Sequence, residues 1–532
     1  MSESQKKQTF LHGAALLAIA TAVVKLIGAF YKLPLKMVIG DQGYGYFATA
    51  YDIYSVLLLI STAGLPVAMS RMISQANATK SSNQVRRVFK TARAIFLLLG
   101  IGSALFMVLG SNWLATKVLM QPNAAPAIAC LGPSALFMGI IATFRGFFQG
   151  HGNMRPTSRS QILEAAIKLL VGLGLAVWVM YQFKSVPLAA AGAITGVTVS
   201  CVISAIFLYS KFRPSYKELP PSQDEALSFA ATAKGLLAVA IPITIGSAGL
   251  QFLTVVEQRL YMGQLLSGGI SQDMADTLKG IYSMSITIYN MPCAFISPIT
   301  ISVLPAITAA LTVSDSKAVR DTEESAARVT SLISFPCSMG LFILARPVMS
   351  LLGGYDGWKL DLAANLMRLL AICIFLQSVI QYSNAVMQAH GYAHIPVINM
   401  LSTGICKLAV VYILVGNPNI GIVGAPIGSV LCYTAIAILN LLAISRVVPQ
   451  KPRLLRNLLR SLLPALVMGA AVFLCSSLLS VMHVTSRVIL CGAPIAVGGV
   501  VYLLCAILFK SVTAEDCKLL PKGDKIAKLL KL

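Results

Sequence analysis

Three lysines stand where lysine is costly. Lys25 lies deep inside the first apolar run of the chain, and Lys32 and Lys36 follow toward its outer end. Spacings of seven and four place all three on one helical face. If that face lines a cavity, it is a site for an anion such as a pyrophosphate, and Lys25, Lys32 and Arg259 are the candidate diphosphate ligands. The alternative for Lys32 and Lys36 is snorkelling to the outer membrane interface. A charge at mid-membrane costs about 2.5–3.5 kcal/mol on insertion scales, so Lys25 is expected to face protein or water.

Acids accompany these bases. Asp52, in company with Tyr51 and Tyr54, lies in the second apolar run. A short connection makes the first two helices neighbours, so a lysine of the first run is its expected partner. A structural ion pair and a proton- or cation-coupled switch both remain open. Glu257 and Arg259 close the seventh run; two residues apart, they do not share a face. Arg259 is either a bidentate phosphate ligand or an interface anchor, and Glu257 joins Asp52 as a coupling or ion-pair candidate. Glu164 and Lys168 form an i,i+4 pair in the favourable order and are expected to be structural. Arg145 meets a headgroup or anchors a helix end. Arg368, with Gln377 and Gln381 nearby, either lines a cavity or pairs with Asp361. Tyr31, Lys36, Arg145, Glu164, Lys168 and Arg368 are thus secondary cavity or gate candidates.

Chemistry of other kinds finds no residues. There is no GxxxxGK[ST], no HExxH and no arguable Ser-His-Asp arrangement, so no catalytic residue is assigned and the chain is not expected to be an enzyme. The 11 cysteines are scattered without CxxC and read as packing residues, with neither a metal site nor a cofactor.

The elements that must position these residues follow from composition. The 532 residues are 57% hydrophobic and 11% charged, with mean hydropathy +0.78. A soluble chain carries about 25% charged residues, so this is an all-α polytopic membrane protein. The net charge of +23 does not point to nucleic acid. Its Lys and Arg concentrate in the segments placed inside, which is the positive-inside bias, and there they meet anionic lipid headgroups. Fourteen transmembrane helices are predicted, with both termini cytoplasmic. The first two lie near 10–35 and 44–69, the seventh and eighth near 232–258 and 280–306, and the last two near 461–483 and 488–509.

An internal repeat organises them. Gln149, His151, Gly152 and Lys168 match Gln388, His390, Gly391 and Lys407 at constant offset, and Gly192, Ala193 and Gly196 match Gly424, Ala425 and Gly428. The expected arrangement is two pseudo-repeated six-helix lobes plus two C-terminal helices. The N-terminal lobe occupies 1–211, a polar cytoplasmic linker 212–231 and the C-terminal lobe 232–446. The last helix pair occupies 447–510 and a basic cytoplasmic tail 511–532. The two histidines read as turn residues. Two bundles whose helices are broken by Pro and Gly suggest a transporter that rocks about a central site.

Segments 25–36 (KLIGAFYKLPLK), 43–75 and 144–157 (FRGFFQGHGNMRPT), with VLPAIT at 303–308 and the stretch 345–352, resemble a known family. It comprises the lipid-linked oligosaccharide flippases of the multidrug/oligosaccharidyl-lipid/polysaccharide exporter superfamily. The similar branch holds the lipid II flippases (MurJ-type) and stage V sporulation protein B. The resemblance implies fourteen helices in two lobes, a V-shaped central cavity with alternating access, and a groove for the polyprenyl tail on the last two helices. It implies basic residues on the first, second and eighth helices that meet the diphosphate. Lys25 matches the first of these. The next two family positions are often Arg-Asp and here are Tyr31-Lys32, while the expected eighth span holds no Arg.

The function this implies is movement of undecaprenyl-diphosphate-linked lipid II from the inner to the outer leaflet of the bacterial cytoplasmic membrane. Coupling would be to the membrane potential or to a monovalent cation, with membrane lipids and the cell-wall synthesis machinery as partners. The alternatives are a flippase for another lipid-linked oligosaccharide, a multidrug/cation antiporter, or a non-transporting scaffold of the cell-wall or sporulation machinery.

Overall fold

A computed structural model of the chain describes residues 3–62, 64–312, 316–449, 452–509 and 511. The side chain of Lys25 and the tail 512–532 lie outside the described residues. The fold is all-α. Among the described residues, 11 helices are long and apolar enough to cross a membrane.

The first two expected spans are joined by a sharp kink. Two helical segments, taken together as α1 (Glu3–Thr62), cover the first and most of the second, and they are joined by a kink at Gly40, whose φ 70 and ψ −173 are not helical. A single glycine in the left-handed region does the work expected of a loop. The helix resumes after a break as α2 (Leu65–Ala78), with Pro near its start. Next come α3 (Ser82–Leu109), α4 (Ala125–Gly150), α5 (Arg155–Phe183), α6 (Val186–Lys217) and α7 (Phe229–Ser267). The chain continues in α8 (Gln272–Thr312).

Two compact units divide at Gly280 and Ile281. In the first, α5 and α6 pack closely through Gly172 and Gly196: a Cβ on Gly196 would fall 2.3 Å from the backbone of Gly172. An aromatic cluster fixes the far end of α4, with Phe89 stacked on Phe212 at 4.4 Å and Phe147 edge-on to Phe212 at 4.9 Å. The predicted linker carries no helix or strand from 220 to 228 and is tied to α3. The Asp224 carboxylate accepts from the backbone N–H groups of Asn83 (3.0 Å) and Gln84 (2.9 Å), capping a helix whose own Ser81 makes no such bond.

The second unit holds α9 (Ser316–Ile343), α10 (Gly357–Ala389), α11 (His394–Val415), α12 (Gly424–Val447), α13 (Leu462–Val481) and α14 (Arg487–Leu508). Its core gathers Val319, Tyr382, Val386, Ile436 and Ile444. The helices α13 and α14 pack on each other, and Gly469 and Gly498 bring Met339 and Val472 against them. Arg487 Nη2 clamps both oxygens of Asp356 at 2.9 and 2.8 Å.

The two matching turns share one local geometry. Gly152 has φ 72 and Gly391 φ 84, the left-handed conformation that ends a helix. Their histidines differ in partners. The His151 ring contacts the Phe147 carbonyl at 2.9 Å, and its burial holds its pKa below the usual imidazole value. The His390 ring contacts the fully buried Glu323 carboxylate at 2.7 Å.

Candidate functional site

The site begins where α8 crosses α1. A Cβ on Gly280 would lie 1.8 Å from the Asp41 carbonyl oxygen, and one on Gly45 would lie 3.0 Å from the Asp276 carbonyl. Only glycine permits backbones that close. The crossing sets the first turns of α8 against the second half of α1, so Asp276 and Lys279 enter the first unit.

Lys279 stands at the centre of the site. It is 5% exposed, and its ammonium lies 3.1 Å from Asp52 Oδ2 and 3.0 Å from Gln258 Oε1, with the Tyr261 ring centroid 5.6 Å away. Lys32 of α1, half-buried, lies within electrostatic reach of both Asp52 and Lys168. The ammonium of Lys168, from α5, stands 6.0 Å from the Tyr51 ring centroid. Lys279 and Lys32 thus meet at Asp52, and Lys168 of a third helix stands beside Lys32.

A chain of buried polar side chains continues from Lys279. It donates to Gln258 Oε1; Gln258 Nε2 donates to Thr49 Oγ1 at 2.9 Å; Thr49 donates to Gln121 Oε1; and Gln121 Nε2 donates to Asp276 Oδ1 at 2.9 Å. Gln272 Nε2 donates to the same oxygen at 3.0 Å, and the Tyr46 hydroxyl donates to Oδ2 at 3.0 Å. Thr49, Gln121 and Asp276 are fully buried.

The sequence candidates fall into several places. Asp52 pairs with Lys279 and not with a lysine of its own helix, because the α8 crossing delivers a nearer cation. Lys32 joins the cluster. Lys36 instead pairs with Asp41 at 3.1 Å, both about 9% exposed, so the lysine face of the first helix divides between two settings. Tyr31 is buried and donates to the Ala193 carbonyl at 3.3 Å, bracing α1 on α6. Arg259 is exposed, whereas Glu257 is buried. Glu164 takes Arg145 as its ion partner at 3.0 Å, with Arg145 Nε on the Ser160 hydroxyl at 3.1 Å. Lys168 lies in that carboxylate's field and faces Tyr51. Arg368 is exposed and donates to Asn365 at 2.9 Å; Asp361, its suggested partner, pairs with Arg346.

Lys279, Gln258, Thr49, Gln121 and Asp276 do not stand out in the sequence. Lys279 directly precedes the expected span 280–306 and so reads as a flank. The polar Gln258 between Glu257 and Arg259 is the one available signal. Among the described residues no group of three or more His, Cys, Asp or Glu could hold a metal.

Residues 10–311 match the family described as polysaccharide biosynthesis protein, more than half of the chain. The chain belongs to that family. Among relatives, the uncharacterized membrane protein YabM of Bacillus subtilis (strain 168) is 26% identical, over 99% of this chain and 97% of its own. Stage V sporulation protein B of the same organism is 25% identical, over 83% and 85%. A solved structure of the lipid II flippase MurJ in an inward closed conformation shares the fold with a TM-score of 0.70. It is 13% identical and covers 93% of this chain and 99% of that one.

Proposed function

We propose that this member of the polysaccharide biosynthesis family is a flippase that moves an undecaprenyl-diphosphate-linked saccharide, lipid II, from the inner to the outer leaflet by alternating access. The observation that carries this reading is the meeting of Lys279 and Lys32 at Asp52, with Lys168 of a third helix beside Lys32. Buried cations are expensive unless paired. Lys32, Lys168, Lys279 and Arg145 outnumber the neighbouring carboxylates Asp52, Glu164 and Glu257 and leave positive charge that an anion would balance, and a diphosphate carries the right charge in a compact group. Lys25, seven residues before Lys32 in the sequence, is proposed as a further ligand of the same anion. Lys279 supplies the basic residue of the eighth helix that the resemblance called for, and Arg259 is not needed in that role.

The rest of the substrate fits the remaining elements. Large apolar residues of α13 and α14, including Phe473, Leu474, Leu478 and Leu503, are exposed and would meet the polyprenyl tail. In this reading 1–211 and 232–446 act as the two lobes, 212–231 is the cytoplasmic linker and fourteen helices span the cytoplasmic membrane with both termini inside. The chain is a transporter and not an enzyme. An inside-negative potential pushes a negatively charged lipid outward, with about 2.3 kcal/mol available per unit charge per 100 mV. The likeness to stage V sporulation protein B favours, as second reading, a lipid-linked precursor used in sporulation.

Complementation tests the proposal. A bacterium depleted of its lipid II flippase should grow when this chain is expressed, and should not with Lys279→Ala at matched protein level. Rescue by both would remove the lysine cluster from the mechanism. No rescue by a well-inserted parent would shift the substrate to another lipid-linked sugar or the protein to a scaffold.

A further inference from the structure

Asp276 is a fully buried ionisable group that the lysine cluster leaves unused. Its carboxylate accepts hydrogen bonds from the neutral donors Gln121, Gln272 and Tyr46. Asn123 in turn donates to the Tyr46 oxygen at 3.2 Å. A buried carboxylate is costly unless something balances its charge.

The polar chain shows what balances it. All four bonds from Lys279 through Gln258, Thr49 and Gln121 to Asp276 donate in one direction. An ammonium stands at the donor end and a carboxylate at the acceptor end. Aligned hydrogen bonds polarise one another, so each charge stabilises the other through the intervening amides and hydroxyl. Other groups around Asp276 do not replace that cation. On its own helix Asp273, one turn earlier, adds like charge, and the other titratable group beside it is Tyr46 of α1. Where α1 meets α8, Lys36 is held by Asp41 at 3.1 Å. From the 114–124 segment Lys117 is exposed, and Gln121 and Asn123 are neutral. From α7, Gln258 reaches Asp276 through Thr49 and Gln121.

We infer that Asp276 is a proton-binding site linked to the lysine cluster, filled when an anion takes Lys279 away from Gln258 and Asp52. Once the ammonium turns to an anion, the chain loses its positive end and the carboxylate its compensation. A proton taken up from the buffered medium then binds Oδ2, converting carboxylate to carboxylic acid. The new O–H donates to the Tyr46 oxygen, since a phenol hydroxyl both donates and accepts. Oδ1 keeps its bonds from Gln121 and Gln272. Identifying the anion as a substrate diphosphate rests on the proposed function; the proton site itself rests on the buried chain.

Two measurements on the full chain in lipid nanodiscs test this separately. The first uses no anion: infrared difference spectra across a pH titration follow the carboxylic-acid carbonyl band. The expected result is one titrating band that Asp276→Asn removes and that Gln121→Leu, which cuts the chain but keeps the carboxylate, displaces along the pH axis. Absence of any titrating band sensitive to Asp276→Asn overturns the proposal. The second adds inorganic pyrophosphate in weak buffer. The parent should take up close to one proton per bound anion, Asp276→Asn should bind without uptake, and Lys279→Ala should do neither. Binding by the parent without proton uptake, or full uptake by Asp276→Asn, overturns it. An Asp276-dependent band with no pyrophosphate binding would keep the proton site and count against the anion-binding reading.

Discussion

The ammonium of Lys279 lies 3.1 Å from the carboxylate of Asp52, 227 residues earlier in the chain. The pair joins the second half of α1 to the start of α8 at the carboxylate whose field Lys32 also feels. Asp52→Asn alone should destabilise the protein by about 2–3 kcal/mol, below the range for fully buried pairs because its side chain is 23% exposed. Joining it with Lys279→Met should recover most of that loss, since no uncompensated charge remains. Thermal unfolding of the single and double variants measures this; simple additivity would show that the two groups do not interact.

The glycine crossing makes a sharper demand. Gly280→Ala places a methyl group 1.8 Å from the Asp41 carbonyl oxygen, a backbone atom that cannot swing aside. The start of α8 must shift, at an overpacking cost of about 1–3 kcal/mol. Thermal unfolding of Gly280→Ala measures this loss, and stability equal to the parent's would contradict the packing.

Arg259 provides the opposite expectation. Its side chain is exposed, so Arg259→Ala should change stability by no more than about 0.5 kcal/mol and leave growth complementation intact. Loss of complementation at normal protein level would return Arg259 to the diphosphate site.

The linker should respond to acid. The Ser222 hydroxyl beside it, followed by the backbone N–H groups of Asn83 and Gln84, holds the Asp224 carboxyl below the usual carboxylate range. A depressed folded pKa contributes stability that is complete above the free value of about 3.9 and is lost as pH falls through the folded value. Segment 218–228 should therefore stay docked on α3 at neutral pH and release in strong acid. Asp224→Asn should release it at neutral pH. Limited proteolysis reports this, and equal protection of the variant would show that the cap does not hold the linker.

Much of this was legible along the chain and little of it across the chain. Apolar runs marked helices, because a bilayer demands about 20 apolar residues per crossing. Asp52 stood out because a charge in such a run needs a partner. Its partner did not, because Lys279 sits at the edge of a distant run, where lysine is ordinary. The reading of Lys25, Lys32 and Lys36 as one face rests on helical periodicity, but periodicity says nothing about Asp41, which takes Lys36 where Gly40 bends the helix. The Glu164–Lys168 pair shows the same limit: i,i+4 spacing makes the contact available, while Arg145 from the preceding helix takes it.

The measurement nearest to the central claim is transbilayer movement of an undecaprenyl-diphosphate-linked saccharide in proteoliposomes. Parent and Lys279→Ala would be reconstituted at equal density, with Arg259→Ala as the neutral control. The lysine cluster predicts movement by the parent and by Arg259→Ala, and a loss of at least about tenfold with Lys279→Ala, the factor that 1.4 kcal/mol of lost anion affinity produces. Undiminished movement by Lys279→Ala would contradict the account.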